Sequence, residues 1–269
     1  MLAAAPSGAA ALGSNENPLG PSPRGVEAWL RAARCLHRYP DVVPAALCEA
    51  IASKHELDAA RIECTHGAEQ AIELIVRALV PPGDNVVAPA LTFKMVEVAV
   101  RWAGAEYIAA DLDGWAPDVD AVLAAVTERT RLVAVAAPNN PTGQTLDTAD
   151  LLRLRQELPE QIPLVLDQAY AELDAASVHE TGLKLCRDGA NTVVVRTFSK
   201  AYGLAGARVG WFSGHTTVVE RVRGLRCPFH LGRADAAAAR AALDDDTHVA
   251  ATVLHCDTWR ARFREAIEA

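Results

Sequence analysis

The sequence predicts an α/β fold with a mainly parallel central sheet flanked by helices, and three features predict it. Short, continuously apolar runs alternate with helical patterns between about residues 67 and 212, and runs apolar at every position are strands buried on both faces. Polar residues gather just beyond the ends of those runs, where ligands bind in open parallel sheets. A chain of 269 residues that is 51% hydrophobic has enough apolar surface for one large core.

Taken in order, residues 14–23 read Ser14-Asn15-Glu16-Asn17-Pro18-Leu19-Gly20-Pro21-Ser22-Pro23. So many turn formers exclude helix and strand and predict an arm laid across another part of the chain. Helical patterns follow at about 24–37 and 44–55. A third opens at Gly67, repeats Ala68, Ile72, Leu74, Ile75 and Leu79 along one face, and stops at Pro81-Pro82-Gly83. The expected strands are Asn85–Ala88, Glu106–Ala109, Arg131–Ala136, Leu164–Asp167, Thr192–Arg196 and Ala207–Phe212, with helices near 93–102, 118–127 and 147–158 between them. From about Val218 the pattern is helical, including the alanine-rich Ala234–Leu243 and a long helix from about Thr247 to Ala269.

Charge and composition exclude several classes of function. With 26 Lys and Arg against 34 Asp and Glu, the net charge is -8, which leaves no broad basic surface for nucleic acid or an anionic membrane. No apolar run reaches membrane-spanning length, and residues 1–13 lack the charged start and long apolar stretch of a secretory signal. The six cysteines are scattered without a Cys-x-x-Cys pair, which fits reduced thiols in a cytoplasmic protein rather than a zinc ribbon. The histidines show no metal-ligand spacing, and Gly203, Gly206 and Gly210 do not form a dinucleotide fingerprint.

The chemistry concentrates in Arg196-Thr197-Phe198-Ser199-Lys200-Ala201-Tyr202-Gly203-Leu204-Ala205-Gly206-Ala207-Arg208. A lysine amine condenses with an aldehyde, and pyridoxal 5'-phosphate is the commonest aldehyde that a protein lysine carries. Such a site needs an anion cradle, a carboxylate for the ring nitrogen, donors to the phenolic oxygen and an aromatic lid. Asp167 at a strand end is the candidate carboxylate, although an aspartate there also serves as a helix cap. Asn140 and Tyr170 are the donors; Asn139-Asn140-Pro141-Thr142-Gly143 is equally a good turn in any protein. The amides of Ala68 and Glu69, at the start of the Gly67 helix, would face a phosphate together with Thr197, Ser199 and Arg208. Phe93 is the candidate ring-stacking residue or, alternatively, a core aromatic.

As an ordered set, these motifs resemble a fold type I pyridoxal-phosphate aminotransferase of the class I and II group, most similar to its histidinol-phosphate branch. The resemblance runs from Ser14 to the last residue and rests on Asn15-Glu16-Asn17-Pro18, Gly20-Pro21-Ser22-Pro23, Arg38-Tyr39-Pro40-Asp41, Gly67-Ala68-Glu69, Asn139–Gly143, Asp167-x-Ala169-Tyr170, and Ser199-Lys200 with Arg208. It implies that Lys200 attaches the cofactor, Asp167 pairs with its ring nitrogen, Asn140 and Tyr170 hold its phenolic oxygen, and Phe93 stacks. It also implies a homodimer, because Tyr39 matches a tyrosine that reaches the cofactor phosphate of the neighbouring subunit. Small amino acid and keto acid substrates follow.

The expected organisation is an arm over 1–23, a cofactor-binding large domain over 24–232, and over 233–269 the helical start of a small domain that relatives continue beyond the position of Ala269. That small domain supplies the substrate-binding arginine of relatives, and no residue here matches it. The chain also has Glu69-Gln70 where relatives have Asp-Glu, Gln168 where they have Glu, and His230 where they have Asn. Transamination is the leading expectation. The alternatives are decarboxylation of an amino acid phosphate on the same fold, and a truncated, noncatalytic cofactor-binding protein.

Overall fold

The computed structural model describes residues 12–174 and 178–269, so the first eleven residues of the expected arm lie outside it. In chain order the elements are α1 (Pro23–Ala33), α2 (Ala45–His55), β1 (Ile62–Thr65), α3 (Gly67–Leu79), β2 (Asn85–Pro89), α4 (Met95–Trp102), β3 (Glu106–Ala110), β4 (Leu112–Asp113), β5 (Ala116–Pro117), α5 (Val119–Ala124), β6 (Thr130–Ala136), α6 (Thr148–Glu157), β7 (Leu164–Asp167), α7 (Val178–Arg187), β8 (Thr192–Thr197), β9 (Gly210–Ser213), α8 (Thr216–Leu225), α9 (Arg233–Leu243) and α10 (Asp246–Glu268).

Seven strands form one sheet in the order β1-β9-β8-β7-β6-β2-β3, and β4 pairs with β5 in a small hairpin. The neighbours from β3 to β8 pair in parallel, whereas β9 is antiparallel to both β8 and β1. One strand therefore runs against the rest. The parallel order sends β6, β7 and β8 to the same edge of the sheet, with Ala136 beside Asp167 and Asp167 beside Val195. Their following loops must meet there.

Alternate residues of the central strands enter two cores. On one face Val87, Val133, Val135, Leu164, Leu166 and Val194 pack with α2, α5, α6, α7 and α9. On the other, Val86, Leu132, Ala134, Val165, Val193 and Val195 pack with α3, α4 and α8. Burial on both faces is the reason these strands read as continuous apolar runs. Helix starts follow ordinary capping chemistry: Ser22 Oγ accepts from Gly25 N at 3.1 Å with Pro23 at the first helical position, and Asp147 accepts from Asp150 N at 2.7 Å.

The expected strand over Ala207–Phe212 needs correction. Ala205–Ala207 forms a turn of 3₁₀ helix, Arg208 is left-handed at φ 52°, and the strand begins only at Gly210. The left-handed residue breaks the extended run that its apolar neighbours suggested. The apolar and helical patterns of the sequence do not include β1, the β4–β5 hairpin or α7. None of the described helices is long and apolar enough to cross a membrane. α10 is buried at Thr252, but every residue from Asp257 onward is exposed.

Candidate active site

A cavity of about 610 Å³ opens where the loops after β6, β7 and β8 meet the start of α3. Ten of the residues singled out in the sequence line it: Ala68, Glu69, Phe93, Asn140, Asp167, Tyr170, Thr197, Ser199, Lys200 and Arg208. They come from elements more than a hundred residues apart in the chain. Tyr39 is elsewhere: it is 78% exposed and packs against Phe229 with ring centroids 4.9 Å apart.

Asp167, the last residue of β7, is only 7% exposed. Its Oδ1 accepts one hydrogen bond, from Ala169 N at 3.0 Å, and among the described residues it has no ion-pair partner. Burial raises its pKa to about 6, with smaller opposing contributions from that amide and from Lys200. A buried carboxylate without a cation suits a cationic group of a ligand at that wall of the cavity.

Lys200 follows β8 by three residues, and its Nζ donates to the carbonyls of Ser14 at 2.8 Å and Asn15 at 3.3 Å. The ammonium also lies 5.6 Å from the centre of the Tyr170 ring. Burial lowers the lysine pKa, against the nearby Glu69 carboxylate. That shift enlarges the neutral, nucleophilic fraction of the amine.

Tyr170 is half-buried, and its hydroxyl oxygen accepts from Asn15 Nδ2 at 3.1 Å while burial raises its pKa. Its own proton stays free to donate towards a ligand oxygen. Asn139, beside Asn140, fixes the loop after β6. Its Nδ2 donates to Leu91 O at 2.7 Å and Thr142 Oγ1 at 2.9 Å, and its Oδ1 accepts from Thr92 Oγ1 at 2.9 Å. Asn139 thus serves the turn, and Asn140 faces the cavity. Phe93 borders both the cavity and the core beneath α4.

The opposite end of the cavity is built for an anion. α3 starts there with no side-chain cap on its first amides, so its positive end and the amides of Ala68 and Glu69 are available to a ligand. Thr197 Oγ1 donates to Ser199 Oγ at 2.9 Å and accepts from Ser199 N at 3.1 Å. Arg208 Nη1 reaches Ser199 Oγ at 3.5 Å, and Nη2 pairs with Glu69 Oε2 at 2.9 Å. Two glycines allow this crowding. A Cβ on Gly67, which sits at φ +84°, would lie 2.6 Å from Arg208 Nη2, and one on Gly210 would lie 2.5 Å from Ala68 N.

The arm supplies four lining residues that the sequence did not single out one by one. Gly13, Ser14, Asn15 and Glu16 all border the cavity. The turn-rich composition signals an arm, but backbone carbonyls that hold a lysine leave no residue-type signature. As a whole, the cavity offers an anion cradle for a phosphate, a buried carboxylate for a ring cation, polar groups for a phenolic oxygen, and a lysine amine for an aldehyde. This donor set fits pyridoxal phosphate.

Comparison with known proteins points the same way. Residues 9–269 match the family of class I and II aminotransferases. A histidinol-phosphate aminotransferase of Cereibacter sphaeroides is 43% identical over 256 residues, covering 95% of this chain and 70% of the relative. One from Erythrobacter litoralis is 42% identical over 258 residues, covering 96% and 70%. Among solved structures, a putative histidinol-phosphate aminotransferase from Erwinia carotovora atroseptica superposes with a TM-score of 0.89 at 27% identity, over 95% of this chain and 75% of that one. The Sinorhizobium meliloti histidinol-phosphate aminotransferase in complex with pyridoxal-5'-phosphate gives 0.87 at 32% identity, over 93% and 68%.

Proposed function

The chain belongs to the class I and II aminotransferases, and from that premise we propose that it moves an amino group between histidinol phosphate, or a closely related amine, and a keto acid. Its cofactor is pyridoxal 5'-phosphate. The observation that carries the reading is that Lys200 and the unpaired, buried Asp167 border one cavity from the ends of neighbouring strands. The choice of histidinol phosphate rests on relatives of that name at 40 to 43% identity.

When bound, the cofactor supplies an aldehyde and an electron-withdrawing ring. In this reading Lys200 Nζ would attach it and would carry a proton at the substrate's α-carbon. Asp167 would hold the proton on the ring nitrogen by charge. Asn140 and Tyr170 would donate to the phenolic oxygen, and Phe93 would cover the ring and exclude water. Ala68 and Glu69 amides, the hydroxyls of Thr197 and Ser199, and the Arg208 guanidinium bind the phosphate.

Two finer assignments belong to the same proposal. A homodimer is supported by Tyr39 and Phe229, a tilted aromatic pair at the surface that this chain alone leaves open. A cytoplasmic location is supported by six free cysteines.

The test is a half-reaction. Purified protein loaded with pyridoxal phosphate is mixed with histidinol phosphate or glutamate, and formation of pyridoxamine phosphate and of keto product is followed by absorbance and mass spectrometry. Conversion is expected with wild type, and Lys200→Ala should lose borohydride-trappable cofactor and slow conversion by roughly 10²- to 10⁴-fold. Equal trapping in both proteins, or no amino transfer from either amine, would overturn the reading.

A further inference from the structure

The arm does more than border the cavity, because it grips the Lys200 segment at both ends. Asn17 Nδ2 lies 3.3 Å from Lys200 O, 3.1 Å from Ala201 O and 3.0 Å from Thr252 Oγ1 on α10. At the other end Lys200 Nζ is held by the carbonyls of Ser14 and Asn15. Further along, Ser22 N donates to Tyr202 O at 3.1 Å. The arm thus follows three consecutive peptides, 200 to 202, and also the lysine tip.

We propose that Asn17 is a positioning residue for Lys200, fixing the peptide that carries the lysine and linking it to the buried hydroxyl of Thr252 on α10. The proposal deepens the functional reading and rests on Lys200 as the reacting amine. Only an amide donor meets the geometry. The two N–H hydrogens of Asn17 face two carbonyls and a hydroxyl, while its Oδ1 accepts from Leu19 N at 2.9 Å and fixes which way the amide points. An aspartate would set a carboxylate against two carbonyl oxygens.

Thr252 completes the link. It is 2% exposed, and its Oγ1 lies 3.3 Å from Ala201 O and 3.0 Å from His248 O while accepting from Asn17. The same helix is exposed from Asp257 onward. Anything that shifts α10 therefore pulls on the peptide after Lys200 through one hydroxyl and one amide. Around the amine stand Glu16, Glu69, Asp167, Arg208 and Tyr170, so a small displacement of Nζ changes which of these charges it meets.

The test uses the four lysines as reporters. Cofactor-free protein is acetylated with a limiting N-hydroxysuccinimide ester across a pH series, and labelling of Lys54, Lys94, Lys184 and Lys200 is read by mass spectrometry. Asn17→Ala should label Lys200 at least about threefold faster than wild type, the factor expected for one lost hydrogen bond of modest strength. The other three lysines should be unchanged, whereas general loosening would raise all four. Thr252→Val should shift Lys200 in the same direction, and Thr252→Ser should restore the wild-type rate. The rate of pyridoxal phosphate uptake, followed by visible absorbance, should fall about threefold in Asn17→Ala.

Unchanged Lys200 labelling in Asn17→Ala overturns the positioning role, even if its melting temperature falls. Asn17→Asp is the second variant and should disturb Lys200 at least as strongly. If wild type takes up no cofactor at Lys200 while the labelling difference persists, the aminotransferase reading fails and the positioning role stands.

Discussion

Two buried carboxylates in this molecule sit in opposite circumstances. Glu63, on edge strand β1, is fully buried; its two oxygens meet the Nε of Arg223 at 2.6 Å and that of Arg226, and those arginines also donate to the carbonyls of Ile62 and Val42. Asp167, at the end of β7, has one backbone amide and no counter-ion among the described residues. Glu63 is complete without any ligand, and Asp167 is not. A buried charge whose partners are all within the chain holds structure, whereas one left short of a partner is a place prepared for something to bind.

The strongest way to break that contrast is to neutralise Asp167. Asp167→Asn should lower turnover by up to about 10³-fold, or about 4 kcal/mol in the barrier, because a preorganised charge at the reacting group is removed. Folding stability should move the other way. The folded carboxyl titrates near 6 rather than at its ordinary 3.8 because it is buried, so the folded state binds that proton more tightly than the unfolded chain. Its contribution is fully present below about pH 4 and is lost as pH rises through 6, by about 3 kcal/mol. Denaturant melts of cofactor-free wild type should show that decline, and Asp167→Asn should not. Saturating pyridoxal phosphate should flatten the wild-type curve. A flat wild-type profile without cofactor would refute the contrast.

Glu63→Gln is the mirror experiment. It leaves Arg226, with a side chain only 4% exposed, facing a neutral amide, and removing one member of a buried ion pair costs about 3 kcal/mol or more. Urea melts should therefore show a large loss of stability. Cofactor uptake at a temperature where the variant remains folded should match wild type.

The same contrast explains what was legible in the sequence. Lys200, Asp167, Asn140 and Tyr170 follow apolar runs that can only be buried strands, so the parallel topology delivers them to one edge. β1 gives little sequence signal because Ile62-Glu63-Cys64-Thr65 is four residues long and carries a charge. The charge is tolerated only because Arg223 and Arg226 arrive from 160 and 163 residues away. The α7 stretch mixes Val178, Leu183 and Cys186 with His179, Glu180 and Lys184, which blurs its apolar face. Asn17 was readable as a turn residue, but its partners at 200, 201 and 252 are set by tertiary packing. The residues proposed to do the chemistry are thus easier to read than the one proposed to hold Lys200 in place.

A third carboxylate gives the smallest and most discriminating prediction. Glu69 pairs with Arg208 at 2.9 Å, yet its side chain is 56% exposed and that of Arg208 33%. An exposed pair of this kind adds between 0 and about 1 kcal/mol to folding, further reduced by salt, so Glu69→Gln should scarcely change the melting temperature. Its effect should appear in binding instead. The Glu69 carboxylate occupies the guanidinium that the anion end of the cavity offers, so a phosphate has to compete with it. Isothermal titration of cofactor-free Glu69→Gln with inorganic phosphate should show affinity raised by about threefold at low salt, with the gain shrinking as ionic strength rises. Weaker phosphate binding in the variant would place Glu69 with Glu63, as a carboxylate that holds its arginine in place for the site instead of competing for it.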